Sequence, residues 1–178
     1  MRKLSLSLLL IAIIVVITGC GKVTPSTPNI QTTKKFQFTH AKLNLSQLVK
    51  TKIVYHTQEE LESILNEKLT KLLNDNKLLS KNSKMNTLII NADYERRFVG
   101  DETALSTDSL AYPNYVYTIE IKDGDTSIYT IKKDKLKFKG DFAMNLQIIA
   151  GTLRDKKYEL EFVEALANVI FDDINDLN

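Results

Sequence analysis

Apolar residues recur along this chain with two distinct periods. Leu61, Ile64, Leu65, Leu69, Leu72 and Leu73 return every three or four residues, so they share one face of a helix. Thr57 stands before them as an N-cap, and Glu60 follows three residues later as its capping-box partner. Glu59, Glu60 and Glu62 suit the positive end of a helix dipole. The spacing predicts a helix from about residue 58 to 78. A second stripe of Leu160, Val163, Leu166, Ala167, Ile170, Ile174 and Leu177 predicts another from about 156 to 177. Between them the period falls to two. Leu88, Ile90, Ala92, Tyr94 and Phe98 alternate with Asn91, Asp93, Glu95 and Arg97. Tyr115, Tyr117, Ile119 and Ile121 alternate with Val116, Thr118, Glu120 and Lys122. Asp123-Gly124 marks a tight turn, with a returning strand over 126–131. Leu136 and Phe138 alternate with Lys135, Lys137 and Lys139, and Phe142, Met144, Leu146, Ile148 and Ala150 with Asn145 and Gln147. Two shorter stretches, 35–40 (KFQFTH) and 51–56 (TKIVYH), have strand composition, while Leu43, Leu45, Leu48 and Val49 are ambiguous.

Each helical stripe and each apolar strand face needs a partner. The strands are polar on their second face, as in an antiparallel sheet covered on one side. The expected fold is therefore α+β: two long helices packed on one face of a four- to five-stranded, mainly antiparallel sheet. It occupies a single domain over residues 36–178.

What precedes that domain has a different character. Arg2 and Lys3 lead into Leu4–Ile17, an uncharged run broken only by Ser5 and Ser7. A membrane-spanning helix needs about 20 apolar residues, and this run is shorter. A positive start, a short apolar stretch and small residues before a cut are the order of a secretory signal. Ile17-Thr18-Gly19-Cys20 resembles the bacterial lipobox at every position. The resemblance implies lipid transfer to the sulfur of Cys20, cleavage between Gly19 and Cys20, and further acylation with chains such as palmitate, leaving residues 1–19 as a discarded signal peptide. Residues 20–35, with Pro25 and Pro28 among Ser and Thr, read as an extended tether.

This changes how the charge is read. The formal charge of +2 is the two signal residues, because removing them takes Lys plus Arg from 24 to 22, equal to Asp plus Glu at 22. The remaining chain is near neutral overall, which gives no case for nucleic acid as a partner. Cys20 is the single cysteine, so no internal disulfide is available.

Catalytic chemistry is sparse. His40 and His56 have no second ligand at metal spacing, and both read as solvated or edge histidines. No Gly-x-Ser-x-Gly elbow and no phosphate-cradling glycine loop occurs. Tyr94–Phe98 (YERRF) reads as a strand with ordinary charge pairs on its outer face. Asp123-Gly124-Asp125 is a hairpin turn, since a calcium loop needs more ligands. The basic segment 132–139, with Lys135, Lys137 and Lys139, either guards a sheet edge or meets anionic lipid or glycan. The polar loop 99–113 carries Leu105, Leu110 and Tyr112 as candidate partner contacts. No catalytic residue, metal site or cofactor is expected.

The order strand, long helix, strands and helix behind a lipobox and tether resembles small outer-membrane lipoproteins of Gram-negative bacteria, of the LptE-like and YajG-like plan. No motif within 36–178 is shared, so no binding residue is carried over. Gly21, rather than Asp, after Cys20 is compatible in that comparison with sorting to the outer membrane. The other placement is the outer leaflet of the cytoplasmic membrane of a Gram-positive cell. The expected role is a non-enzymatic lipoprotein that binds or scaffolds another envelope component. The alternatives are a surface-exposed adhesin and an envelope glycan or lipid hydrolase using Asp93 and Glu95.

Overall fold

A computed structural model describes residues 32–138 and 140–177. The expected signal peptide, the expected cleavage and lipidation site at Gly19–Cys20, residues 20–31 of the expected tether and Lys139 lie outside the described residues. Seven elements follow in order: β1 Phe36–Gln47, α1 Gln58–Asp75, β2 Asn86–Phe98, β3 Leu110–Asp123, β4 Thr126–Lys137, α2 Phe142–Ile149 and α3 Tyr158–Asn175. The strands lie in sequence order β1-β2-β3-β4. β2, β3 and β4 form an antiparallel meander, but β1 pairs β2 in parallel. The sheet is therefore mixed. A parallel pair needs a crossover of a dozen or more residues, and α1 is that crossover.

α1 begins as its capping signals require. The Thr57 side chain accepts from the Glu60 amide at 3.2 Å, and the Glu60 carboxylate accepts from the Thr57 amide at 2.8 Å. At its other end Lys77 takes a left-handed φ of 59°. The Leu78 amide then reaches Leu73 O and the Lys77 amide reaches Asn74 O, a Schellman closure with Leu73 and Leu78 both buried. Leu61, Leu65, Leu69 and Leu73 face the sheet without exposure. From α3, Phe162, Val163, Leu166, Ala167, Ile170 and Ile174 join them.

Four expectations are corrected. The 51–56 stretch forms no strand. Tyr55 and His56 are neighbours and both buried, whereas successive strand residues point to opposite faces. The 142–150 run is the short helix α2: Asp141 caps it by accepting from the Met144 amide at 2.8 Å. Its alternation was incomplete, because Ala143 and Ile149 are apolar on the supposedly polar face. Leu136 belongs to no separate strand; β4 runs through to Lys137 over a register shift, with Lys135 at φ 56°. In α3 the expected stripe holds at Val163, Leu166, Ala167, Ile170 and Ile174, but in the first turns Leu160 is 40% exposed and Glu159 and Phe162 are buried in its stead.

The two sheet edges differ. Along β1, the amides of Leu45, Leu43 and Ala41 donate to the side chains of Gln58, Glu62 and Asn66, at 3.0, 2.8 and 2.6 Å. Asn66 returns a bond to Ala41 O at 2.8 Å. Alternate strand amides thus meet side chains spaced four apart on a helix, and α1 seals the edge. β4 is the opposite, uncovered edge.

The pairings also give the domain two ends. At the near end β1 and β2 begin, α1 and α3 finish, and β3 turns into β4. The chain arrives there: the Thr33 amide donates to Asn86 Oδ1 at 2.7 Å, and the Thr32 hydroxyl to Leu177 O at 3.5 Å. At the far end stand the segments 48–57, 99–109 and 138–157.

Candidate functional site at the far end of the sheet

The interior of the far end is ionic. By strand alternation Arg96 shares the core face of β2 with Tyr94 and Phe98, and it is 5% exposed. Its Nε donates to Glu159 Oε1 at 2.6 Å, one terminal nitrogen to Gln47 Oε1 at 2.9 Å, and the other to His56 O at 2.6 Å. The second Glu159 oxygen accepts from the His56 amide at 3.0 Å and faces His56 Nδ1 at 3.1 Å. The Tyr55 ring lies 5.5 Å from the guanidinium carbon. One arginine therefore ties the end of β2 to the end of β1, the approach to α1 and the first turn of α3. A buried charge is tolerable only when paired and hydrogen-bonded, as here. Its low-dielectric surroundings act on the neighbouring phenols. Burial, then the Glu159 charge, pushes Tyr55 up to about 12, and burial raises Tyr94 well above its ordinary value.

His56 is thus buried against Glu159, not solvated. His40 is exposed, and its Nε2 meets Glu62 at 2.7 Å. Neither the period-two listing of apolar residues nor a reading of YERRF as surface charge pairs identified Arg96. The available signal was its parity: it falls between Tyr94 and Phe98 on the face reserved for the core.

Around this interior the loops are pinned. Arg97, on the outer face, donates from Nε to Asp101 Oδ2 and from a terminal nitrogen to Asp101 Oδ1, both at 2.7 Å, and reaches Glu102 at 2.6 Å. Asp101 also accepts from the Phe98 amide at 2.9 Å. The Arg97 hydrogen bonds hold the Asp101 carboxyl below its usual range. Gly100 adopts φ 78°, and a Cβ there would lie 2.6 Å from Leu105 O, so the turn needs glycine. Asp108 accepts from the Lys52 amide at 3.1 Å, and Tyr55 donates to Asp108 O at 2.6 Å. Segments 48–57 and 99–109 are thereby joined. They hold Val54 and Leu105 outward, 85% and 83% exposed.

The sequence-derived contact residues separate. Leu110 is buried at the start of β3, where it pairs with Phe98 and donates to Leu153 O, so the loop ends earlier than expected and Leu110 offers nothing to a partner. Tyr112 is half-buried: its hydroxyl donates to Asn145 Oδ1 at 2.8 Å, and its ring packs on Phe138. It fastens α2. Leu105 alone of the three is free. Lys135 and Lys137 are exposed on β4. Asp93 and Glu95 lie on the open sheet face, the first bonded to Asn44 and the second to Asn114, at 2.8 and 2.6 Å. Both carboxylates are engaged by amide side chains.

The arrangement is that of a rigid end that displays apolar side chains. Among the described residues no cluster of three metal-ligating side chains occurs, and no helix is long and apolar enough to cross a membrane. No family model matches the chain, and no curated protein matches it. Among solved structures, it is similar to a minor lipoprotein from Acinetobacter baumannii, with 17% identity and a TM-score of 0.37. The match covers 76% of this chain and 93% of that one. The likeness is too loose to assign fold or role.

Proposed function

We propose that this chain is a lipid-anchored bacterial envelope lipoprotein, held in the outer membrane through Cys20, whose non-enzymatic domain binds another envelope component. The observation that carries the binding role is the pair Val54 and Leu105. Both are large apolar side chains held in solvent by loops that Arg97, Asp101, Asp108 and Tyr55 lock from within. A loop already ordered before binding loses little entropy when a partner arrives. The anchor rests on the Ile17-Thr18-Gly19-Cys20 motif and the short apolar run before it.

A photocrosslinking residue in place of the exposed Ala104, next to Leu105, should capture one defined envelope component in living cells, while one at Asn91 on the open sheet face should not. Leu105→Asp should abolish the capture without lowering thermal stability. Capture unaffected by that substitution would sink the binding role. For the anchor, Cys20→Ser should leave an unprocessed precursor that takes up no labelled fatty acid; labelled, processed protein from this variant would sink it.

A further inference from the structure

A second surface at the far end lies on the opposite flank from Leu105. Strand order puts Val54 and Leu105 beside β1 and β2, and α2 beside β3 and β4. α2 contains no charged residue. Met144 turns inward and is buried, and Tyr112 holds the helix from below. Gly140 permits this close docking, since a Cβ there would lie 2.5 Å from the Tyr112 hydroxyl. The other side of α2 is bare. Phe142, Leu146 and Ile149 stand four and three residues apart, hence on one face, and are 77%, 50% and 81% exposed. An orientation with three large apolar groups in water is costly unless something covers them.

What covers them is indicated by what adjoins them. β4 leads directly into α2 along the uncovered sheet edge, and carries Lys132, Lys133, Lys135 and Lys137 against the single acid Asp134. Lys132 leans on Asp134 at 3.6 Å and Lys133 on Asp173 at 3.2 Å. Lys135 and Lys137 form no ion pair among the described residues. An uncharged helix face beside unpaired lysines is the chemistry of an interfacial helix on an anionic bilayer. Reach is compatible as well. β3, with 14 residues at about 3.3 Å each, makes the sheet roughly 45 Å long. The twelve steps from Cys20 to Thr32 span at most about 40 Å. A domain lying on its β4 edge places α2 at the membrane surface; the chain enters at the opposite end beside β1 and β2, about 10–15 Å higher at roughly 4.8 Å per strand, which is within the tether's reach.

We infer that α2 and the β4 lysines form a second membrane contact, in which Phe142, Leu146 and Ile149 enter the headgroup region and Lys135 and Lys137 meet lipid phosphates. It deepens the anchored reading, since lipid chains plus a basic patch hold a protein more firmly than a single chain. It would also fix which way Val54 and Leu105 face.

The test uses the full-length protein, processed in cells and purified from membranes, with Ile149→Cys carrying an environment-sensitive fluorophore. Cys20 is the one native cysteine, and acylation removes it from labelling. In vesicles of phosphatidylethanolamine and phosphatidylglycerol, emission should rise, shift to the blue and be quenched by spin-labelled acyl chains. In phosphatidylcholine the change should be smaller. A fluorophore at Asn91→Cys should remain in water in both. Lys135→Gln with Lys137→Gln should reduce the ratio of docked to undocked probe about thirtyfold, at roughly fivefold per lysine. The inference is overturned if position 149 is as wet as position 91, if both are equally dry, or if 149 becomes dry only when another envelope protein is added. Loss of the anchor is read separately, as failure to float with the vesicles. Excess vesicles added to that unanchored protein would still show whether position 149 enters them, so either reading can fail alone.

Discussion

Arg96 and Glu159 show how one pair of residues can fix several elements at once. Each side chain is almost wholly buried, and together they engage Gln47 and the backbone of His56. Removing one partner leaves the other as an uncompensated buried charge. Glu159→Leu should therefore cost about 3–5 kcal/mol in urea unfolding. Arg96→Met combined with Glu159→Leu should recover part of that loss, because no buried charge is left unpaired, while the His56 amide and carbonyl still lose their partners. A double variant as unstable as the sum of the singles would refute the coupling. Asp101 makes a pH prediction. Its folded value is lowered chiefly by the Arg97 hydrogen bonds. The folded state therefore binds fewer protons than the unfolded one, so this stabilisation is present above the ordinary carboxylate value and is lost as pH falls through the folded value. Between about pH 5 and pH 3, Asp101→Asn should lose stability less steeply than the parent chain.

At the level of elements, the protein treats its two sheet edges in opposite ways. α1 covers β1 with Gln58, Glu62 and Asn66, which give the edge amides partners they would otherwise find in another chain. Asn66→Ala removes bonds to both Ala41 N and Ala41 O. It should lower stability by about 1–2 kcal/mol and promote concentration-dependent association, measured by unfolding and by light scattering. Unchanged association would show that the edge is protected in another way. β4 has no helix over it and relies on its lysines and on the kink at Lys135. Those same lysines sit beside α2, so edge protection and the proposed membrane contact draw on one set of charges.

At the scale of the whole molecule, the core is closed by tyrosines whose rings face inward. Tyr115 donates to Phe162 O at 2.7 Å and Tyr117 to Asp173 at 2.7 Å, joining β3 to α3. Burial raises both phenols, and Tyr94 with them, above the ordinary value. A raised folded pKa means that the stabilisation is complete below about pH 10 and is lost as pH climbs through the folded values. Alkaline titration followed by ultraviolet absorbance should show these tyrosines ionising together with loss of helical circular dichroism. Smooth ionisation of all seven tyrosines at their ordinary value, with the fold intact, would contradict the packing. The same core separates the near end, where the tether arrives, from the far end, where Leu105, Val54 and α2 are displayed.

The local order of the chain settled much of this. The capping box at Thr57 and Glu60, the leucine stripe of α1, the alternation through β2 and β3 and the Asp123-Gly124 turn are all short-range features, decided by neighbouring residues. The resemblance of Ile17-Thr18-Gly19-Cys20 to a lipobox is local too, and it is read from four adjacent residues without any fold. The parallel pairing of β1 with β2 was not legible, because it depends on how α1 carries the chain back across the sheet. The 142–150 run was ambiguous for a related reason. Its near-alternation suits a strand, and only the Asp141 cap and the seat beside Tyr112 select the helix. Leu110 and Leu105 lie in one polar stretch, yet one is core and the other is solvent-exposed, which turns on where β3 begins. Arg96, Glu159 and His56 lie far apart in the sequence, and each alone resembles a surface residue. Tertiary packing alone brings their charges and amides within hydrogen-bond distance in a water-poor interior.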